Sequence, residues 1–176
     1  TTAPSLLDYC TIEYGGAGTN DADLYVTSSA NPTIRHTAIR SSDGAGVQLS
    51  TGRPVLEHNT ITGNLHGIVV SFVDGQEIIR HNAITDNTST GLTNSATNGG
   101  VNARLNWWGH ASGPSGIGPG SGSSISGNVL FEPWLGQPPT DPFRWTDMLN
   151  SPDPFTPSGG VTTFFGSLPE SAKWKV

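Results

Sequence analysis

The stretch "VLEHNTITGN" (55–64) returns 23 residues later as "IIRHNAITDN" (78–87), with its apolar, charged, His, Asn and Ile positions in register. Two earlier segments, "LLDYCTIEYG" (6–15) and "TIRHTAIRSS" (33–42), align with them, and "NARLNWWG" (102–109) follows as a degenerate fifth copy. The shared apolar position is Ile12, Ile39, Ile61, Ile84 and Trp108, at spacings of 27, 22, 23 and 24 residues. Between copies lies a second short apolar run: "DLYV" (23–26), "AGVQL" (45–49), "HGIVV" (66–70) and "TGLT" (90–93). Gly46, Gly67 and Gly91 stand at the start of three of these runs. Each period is therefore expected to hold one strand-length segment, a polar turn, a second strand-length segment and a return. No such unit can bury its own apolar face, and stacking the units buries a continuous core, which defines a solenoid.

The composition agrees. Of 176 residues, 23 are Gly and 13 Pro, and only 12% are charged. Gly and Pro are the poorest helix formers, and Ser, Thr and Asn compete with the helix for backbone hydrogen bonds, so an all-β chain is expected. A leucine-rich repeat would need a run of leucines that these copies lack. Short Ile-rich strands, Gly before a strand and Asn at the bends are what a coil of parallel strands demands.

The net charge of −6 argues against a nucleic-acid partner, which needs a clustered basic face. No run reaches the roughly 20 apolar residues of a membrane helix, so no membrane span is expected. Cys10 stands alone, so no internal disulfide forms, and it reads as a small buried hydrophobe. The opening "TTAPSLLDYC" has no signal-peptide pattern and reads as the interior of a longer protein; the low charge and abundant Thr, Ser, Asn and Gly fit a bacterial secreted or surface protein.

"IIRHNAITDNTSTGL", "LEHNTITGNLHGIVV" and "NARLNWWGHASGPSG" resemble the repeats of the right-handed parallel β-helix, pectate-lyase-like superfamily, over about residues 5–135. The resemblance implies a right-handed parallel β-helix solenoid of about five coils with a Pro-rich C-terminal extension. The expected layout is a β-helix at 1–135, a linker or capping arm at 136–150 and a truncated β-module at 151–176. "DPFTPSGG", "VTTFF" and "LPESAKWKV" in that last segment resemble the start of the immunoglobulin-like module of flagellar hook-cap proteins, or of a related sorting module. Apolar Phe143, Trp145, Met148 and Leu149 in the arm are expected to dock on the coil.

In such a coil equivalent residues lie roughly 4.8 Å apart along the axis. The Glu57 column reads Asp8, Arg35, Glu57, Arg80, Arg104, with opposite signs meeting at the 35/57 and 57/80 steps. The His58 column reads Tyr9, His36, His58, His81, Leu105, an aromatic stack whose parallel rings do not converge on a metal. The Asn59 column reads Cys10, Thr37, Asn59, Asn82, Asn106, an amide ladder, with Asn64 and Asn87 as a second stacked pair.

For a reaction, the candidates are Glu57 and Asp8 as paired carboxylates, Arg80 as the basic residue of a lyase, and His58. The family's lyases commonly hold Ca2+ on clustered acids. Here Asp21, Asp23, Asp43, Asp74 and Asp86 fall singly in different turns, so no cofactor or metal site is expected, calcium being the one cation the resemblance admits. Tyr25, Phe72 and Trp107 are the candidates for stacking on a sugar ring, among the aromatics Tyr14, Trp108 and Trp134. The expected function is a non-catalytic extracellular scaffold or glycan-contacting surface. Its rivals are a polysaccharide lyase, a glycoside hydrolase, or a hydrolase of another ester. Polysaccharide or glycan is the expected partner, with self-association through coil ends or an open β-edge.

Overall fold

Triplets with an apolar middle residue, such as TIR, VLE, IIR and AIT, recur through the chain, and these become three-residue strands with the middle side chain turned inward. In a computed structural model, which describes residues 5–17, 21–27, 30–73 and 75–140, the first sheet stacks β1 (Leu6–Asp8), β4 (Thr33–Arg35), β7 (Val55–Glu57) and β10 (Ile78–Arg80) in that order, all parallel. The second stacks β2 (Thr11–Glu13), β5 (Ala38–Arg40), β8 (Thr60–Thr62) and β11 (Ala83–Thr85). The third is wider, in the order β14 (Pro114–Gly116), β15 (Gly122–Ser126), β12 (Thr90–Asn94), β9 (His66–Val70), β6 (Ala45–Leu49) and β3 (Ala22–Val26). A two-stranded pair, β13 (Val101–Asn102) with β16 (Val129–Leu130), completes the degenerate last copy. The result is a parallel β-solenoid without helix among the described residues, four complete three-stranded coils long before the last copy.

The core is three apolar columns. Ile34, Leu56 and Ile79 stack inside the first sheet, Ile39, Ile61 and Ile84 inside the second, and Val47, Ile68, Leu92 and Ile125 inside the third, all essentially without solvent contact. Burying each such side chain contributes about 1.5–3 kcal/mol. Trp108, fully buried, continues the Ile84 column through the Ala83–Trp107 bridge. It is therefore part of the core and not a surface aromatic.

The repeat holds three strands where the sequence pattern suggested two. "VLEHNTIT" is not one segment: it breaks at His58 and Asn59 into β7 and β8. The break is a left-handed residue. Tyr9, His36, His58, His81 and Leu105 all have φ between 48° and 59°, a conformation that costs a non-glycine residue about 1–2 kcal/mol. Five residues further on the same device recurs, with Tyr14, Ser41, Gly63 and Asp86 at φ 54° to 68°. In both columns the next residue carries the ladder: Asn59 and Asn82 after the first, Asn64 and Asn87 after the second. The Asn side chains satisfy buried backbone groups that these bends would leave unpaired, which offsets the strain.

Glycine near the start of β6 and β9 follows from the second ladder, whereas Gly91 in β12 is held small by Ser123, whose Cβ would lie 2.8 Å from an added Cβ. A Cβ on Gly46 would lie 2.7 Å from Asn64 Nδ2, and one on Gly67 would lie 2.9 Å from Asn87 Nδ2 and 2.4 Å from the Gly91 carbonyl. Cys10 differs from expectation. It is half-buried at the outermost coil, where its Sγ donates to the Asp8 carbonyl at 3.3 Å, because no coil covers that side among the described residues. The chain divides into a unit of Thr1–Asp141 and one of Pro142–Val176. The second unit, with the docking residues Phe143, Trp145, Met148 and Leu149 and the 151–176 module, lies outside the described residues.

Candidate functional site

Alternation along β1, β4, β7 and β10 turns Asp8, Arg35, Glu57 and Arg80 outward in one register column. Arg35 reaches Asp8 with Nε and Nη2, at 2.9 and 2.8 Å, and Arg80 Nε pairs with Glu57. The ion pairs thus form at the 8/35 and 57/80 steps; the 35/57 step expected from sequence is not where Arg35 turns. A column fixes which residues are neighbours, and rotamers then choose which neighbour is bonded. Arg40 makes the corresponding pair with Glu13 on the second sheet, at 2.7 Å.

Asp8 and Glu57 stand two rungs apart, roughly 10 Å along the axis, with Arg35 between them. Burial by itself would push the Asp8 carboxyl up, but hydrogen bonds from His36 and Arg35, and the attraction of both, together outweigh it and hold the group below its ordinary value. A general acid needs the opposite shift. Each carboxylate is occupied by its own arginine, and the two are not brought to a common centre.

His58 sits in the middle of a ring stack. Centroids lie 4.6 Å apart for Tyr9 and His36, 5.6 Å for His36 and His58, and 5.3 Å for His58 and His81, with interplanar angles of 16° to 26°. His36 Nδ1 bonds Asp8 Oδ1 at 2.8 Å, whereas His58 Nδ1 is buried and meets no hydrogen-bond partner. Burial, then the neighbouring His58 and Arg80, hold the His81 imidazole below its ordinary value. Among the described residues no three His, Cys, Asp or Glu side chains gather as metal ligands would.

The aromatic candidates stand on separate parts of the coil. Tyr25 is 38% exposed on the outer face of the third sheet, Phe72 is 47% exposed in the return after β9, and Trp107 is half-buried in line with the second sheet. Trp134 closes the described end, stacked on Phe131 at 6.3 Å with its indole N–H donated to the Ala111 carbonyl at 3.1 Å.

Apart from Tyr25, sequence reasoning passed over the outer face of the third sheet. Its register column is Tyr25, Gln48, Val69, Thr93 and Ser126. His66 Nδ1 bonds Thr90 Oγ1 at 2.8 Å, Thr90 and Thr93 hydroxyls meet at 2.9 Å, and Ser126 donates to Thr93 at 3.2 Å. Gln48 donates to Ser71 at 2.8 Å. The signal was present: "AGVQL", "HGIVV", "TGLTN" and "GSSIS" contain no Asp, Glu, Lys or Arg.

Residues 3–108, well over half of the chain, match the family described as "Right handed beta helix region". The chain belongs to the right-handed β-helix family. Comparison with curated proteins and with solved structures returned no significant match. The right-handed β-helix accordingly has three faces of different chemistry: a charge-paired first sheet, a second sheet of Thr, Ala and one ion pair, and an uncharged, hydroxyl-bearing third sheet from β6 onward. Fold membership carries no chemistry with it, because a β-helix hosts many unrelated activities.

Proposed function

We propose that the chain is a non-catalytic β-helical segment of an extracellular bacterial protein, secreted or held at the surface, that serves as a rigid scaffold and contacts glycan through the outer face of its third sheet. One observation carries this reading. The paired-carboxylate candidates and the amide ladder are held by partners in their own columns: Asp8 by Arg35, Glu57 by Arg80, Asn59 by Asn82. Such residues form lengthwise ladders, whereas catalysis needs groups that converge on one reacting atom. The third-sheet face supports the glycan part of the reading, since donors and acceptors without fixed charge, beside an exposed Tyr25, suit a neutral polyhydroxylated surface. The composition, poor in charge and rich in Thr, Ser, Asn and Gly, supports the extracellular setting.

A screen of neutral and acidic polysaccharides, with and without calcium, tests the proposal. Retention on a neutral polysaccharide with no chain cleavage is expected. Calcium-dependent release of unsaturated oligosaccharides, or hydrolysis abolished by Glu57→Gln, would replace the scaffold reading with a lyase or a glycoside hydrolase.

A further inference from the structure

Along the first-sheet side every junction from β1 to β10 is closed by parallel backbone pairing, but β10 ends that sheet and β13 pairs onward with β16 instead. The two coils rejoin at the bend, where the His81 N–H donates to the Leu105 carbonyl at 2.7 Å and Asn106 Nδ2 donates to the Ile79 carbonyl at 2.8 Å. The seam left between β10 and β13 is a cavity of about 220 Å³, with Ile78 and Leu105 as apolar wall and Glu77, Arg80, Asn102 and Arg104 as polar lining.

The polar groups are held in place and only partly used. Arg80 is oriented through its Nε by Glu57, and Arg104 through its Nε by the Glu132 carbonyl at 2.6 Å. Among the described residues the terminal nitrogens of both guanidinium groups have no protein partner. Glu77 is only 8% exposed; its Oε2 accepts the N–H groups of Gly75 and Gln76, at 2.8 and 3.1 Å, and its Oε1 is left as an acceptor. Asn102 Oδ1 accepts the Arg104 N–H at 3.3 Å, which leaves its Nδ2 as a donor. Two guanidinium groups balance the carboxylates of Glu57 and Glu77, so the seam offers donors, an acceptor and an apolar wall with no excess charge. An anion would meet the buried Glu77, and a cation would meet two arginines. A ring with vicinal hydroxyls uses both kinds of group, and its C–H edge uses Ile78 and Leu105. The volume is below the range of about 300–1,000 Å³ typical of drug-sized ligands and suits one small ring.

We infer that the seam between β10 and β13 binds a single neutral pyranose residue, free or at the end of a chain. The ligand class rests on the glycan-contacting reading, but the site lies on a different sheet. Titrating the 15N-labelled chain with glucose, galactose, mannose and N-acetylglucosamine, and separately with glucuronate and sulfate at matched ionic strength, tests it through the amides of residues 77–80 and 102–105. At least one neutral sugar is expected to shift these amides in a saturable way and to bind more tightly than either anion. Arg104→Met and Asn102→Ala should each weaken that binding about tenfold, and Arg40→Ala, which removes an exposed guanidinium on the second sheet, should not. Dispersed methyl spectra would establish that each variant is folded. The inference is overturned if none of the neutral sugars moves the seam amides at large excess, if glucuronate or sulfate binds more tightly, or if binding survives both seam substitutions. Polysaccharide that shifts Gln48, Val69 and Thr93 while monosaccharides leave the seam untouched would remove the seam site and keep the scaffold reading. Monosaccharide shifts at the seam without any polysaccharide retention would do the reverse.

Discussion

Asn59 and Asn82 are joined twice: the backbone N–H and the side-chain Nδ2 of Asn59 both donate to Oδ1 of Asn82, at 2.9 and 3.0 Å, with both residues buried. Asn82 repeats the arrangement on Asn106, at 2.9 and 3.1 Å, and its Nδ2 also reaches the Leu56 carbonyl at 2.8 Å. Asn82→Ala leaves two donors and at least one acceptor unpaired in a dry interior. At 1–3 kcal/mol for each buried orphan, a loss of at least about 3 kcal/mol is expected in urea unfolding. A loss below about 1 kcal/mol would show that the ladder is dispensable.

The left-handed column predicts an order among substitutions at one site. At φ 56°, position 58 tolerates Asn, whose short polar side chain visits that region, and resists a β-branched residue. His58→Val and His58→Asn both lose the ring stack, so the difference between them isolates the backbone. The Val variant should be the less stable by about 1–2 kcal/mol in thermal unfolding.

Gly67 and Gly75 should respond differently to the same change. At Gly67 a Cβ would meet the Gly91 carbonyl at 2.4 Å, inside the coil, and overpacking of this kind costs about 1–3 kcal/mol. At Gly75 a Cβ meets nothing within 4 Å, and the expected cost is only the left-handed strain at φ 79°. Unlike Gly67→Ala, Gly75→Ala should leave the packing intact. Comparing their methyl spectra, with shifts in the Ile84 methyl confined to the Gly67 variant, checks this.

Stability should decline as the solution becomes acid, beginning below pH 6.5. Burial, then His58 and Arg80, lower the His81 pKa from 6.5, so the unfolded chain binds the proton more readily than the folded one. The neutral ring's contribution is complete above the unfolded value and is lost as pH falls through the folded value. Asp8, lowered from 3.8, acts in the same direction at lower pH, its contribution being lost as pH falls through its folded value. Unfolding midpoints measured from pH 8 to 5 should fall, and His81→Asn, which suits the left-handed bend, should flatten that slope.

Glu57→Gln removes the ion pair with Arg80, whose side chain is 51% exposed. Solvent screens such a pair, and the expected change in stability is below about 1 kcal/mol. Retention on polysaccharide should be unchanged, since Glu57 lies off the third sheet. Denaturant melts and pull-down on the same sample would check both.

The ladders were legible in advance because they are translations. Once Ile61 and Ile84 are equivalent, Asn59 and Asn82, His58 and His81, and Glu57 and Arg80 must be neighbours. The bend inside "LEHNTIT" was not legible, because histidine carries no marker for a left-handed backbone as glycine does. The five-residue interval from His58-Asn59 to Gly63-Asn64, repeated from His81-Asn82 to Asp86-Asn87, is the trace it leaves. Cys10 was misplaced because the composition says nothing about which coil is outermost.

By itself, then, the sequence determined what stacks on what along the coil axis: the apolar column through Ile61 and Ile84, the ring stack and the two amide ladders, each following from a period near 23 residues and the spacing of paired strands. Only the tertiary structure decided relationships across that axis. It chose Asp8 over Glu57 as the partner of Arg35, left the third sheet with an uncharged outer face, and opened the seam between β10 and β13. Those outcomes depend on rotamers, on where each bend turns the next strand, and on whether one coil's backbone reaches the next, none of which a repeat period encodes.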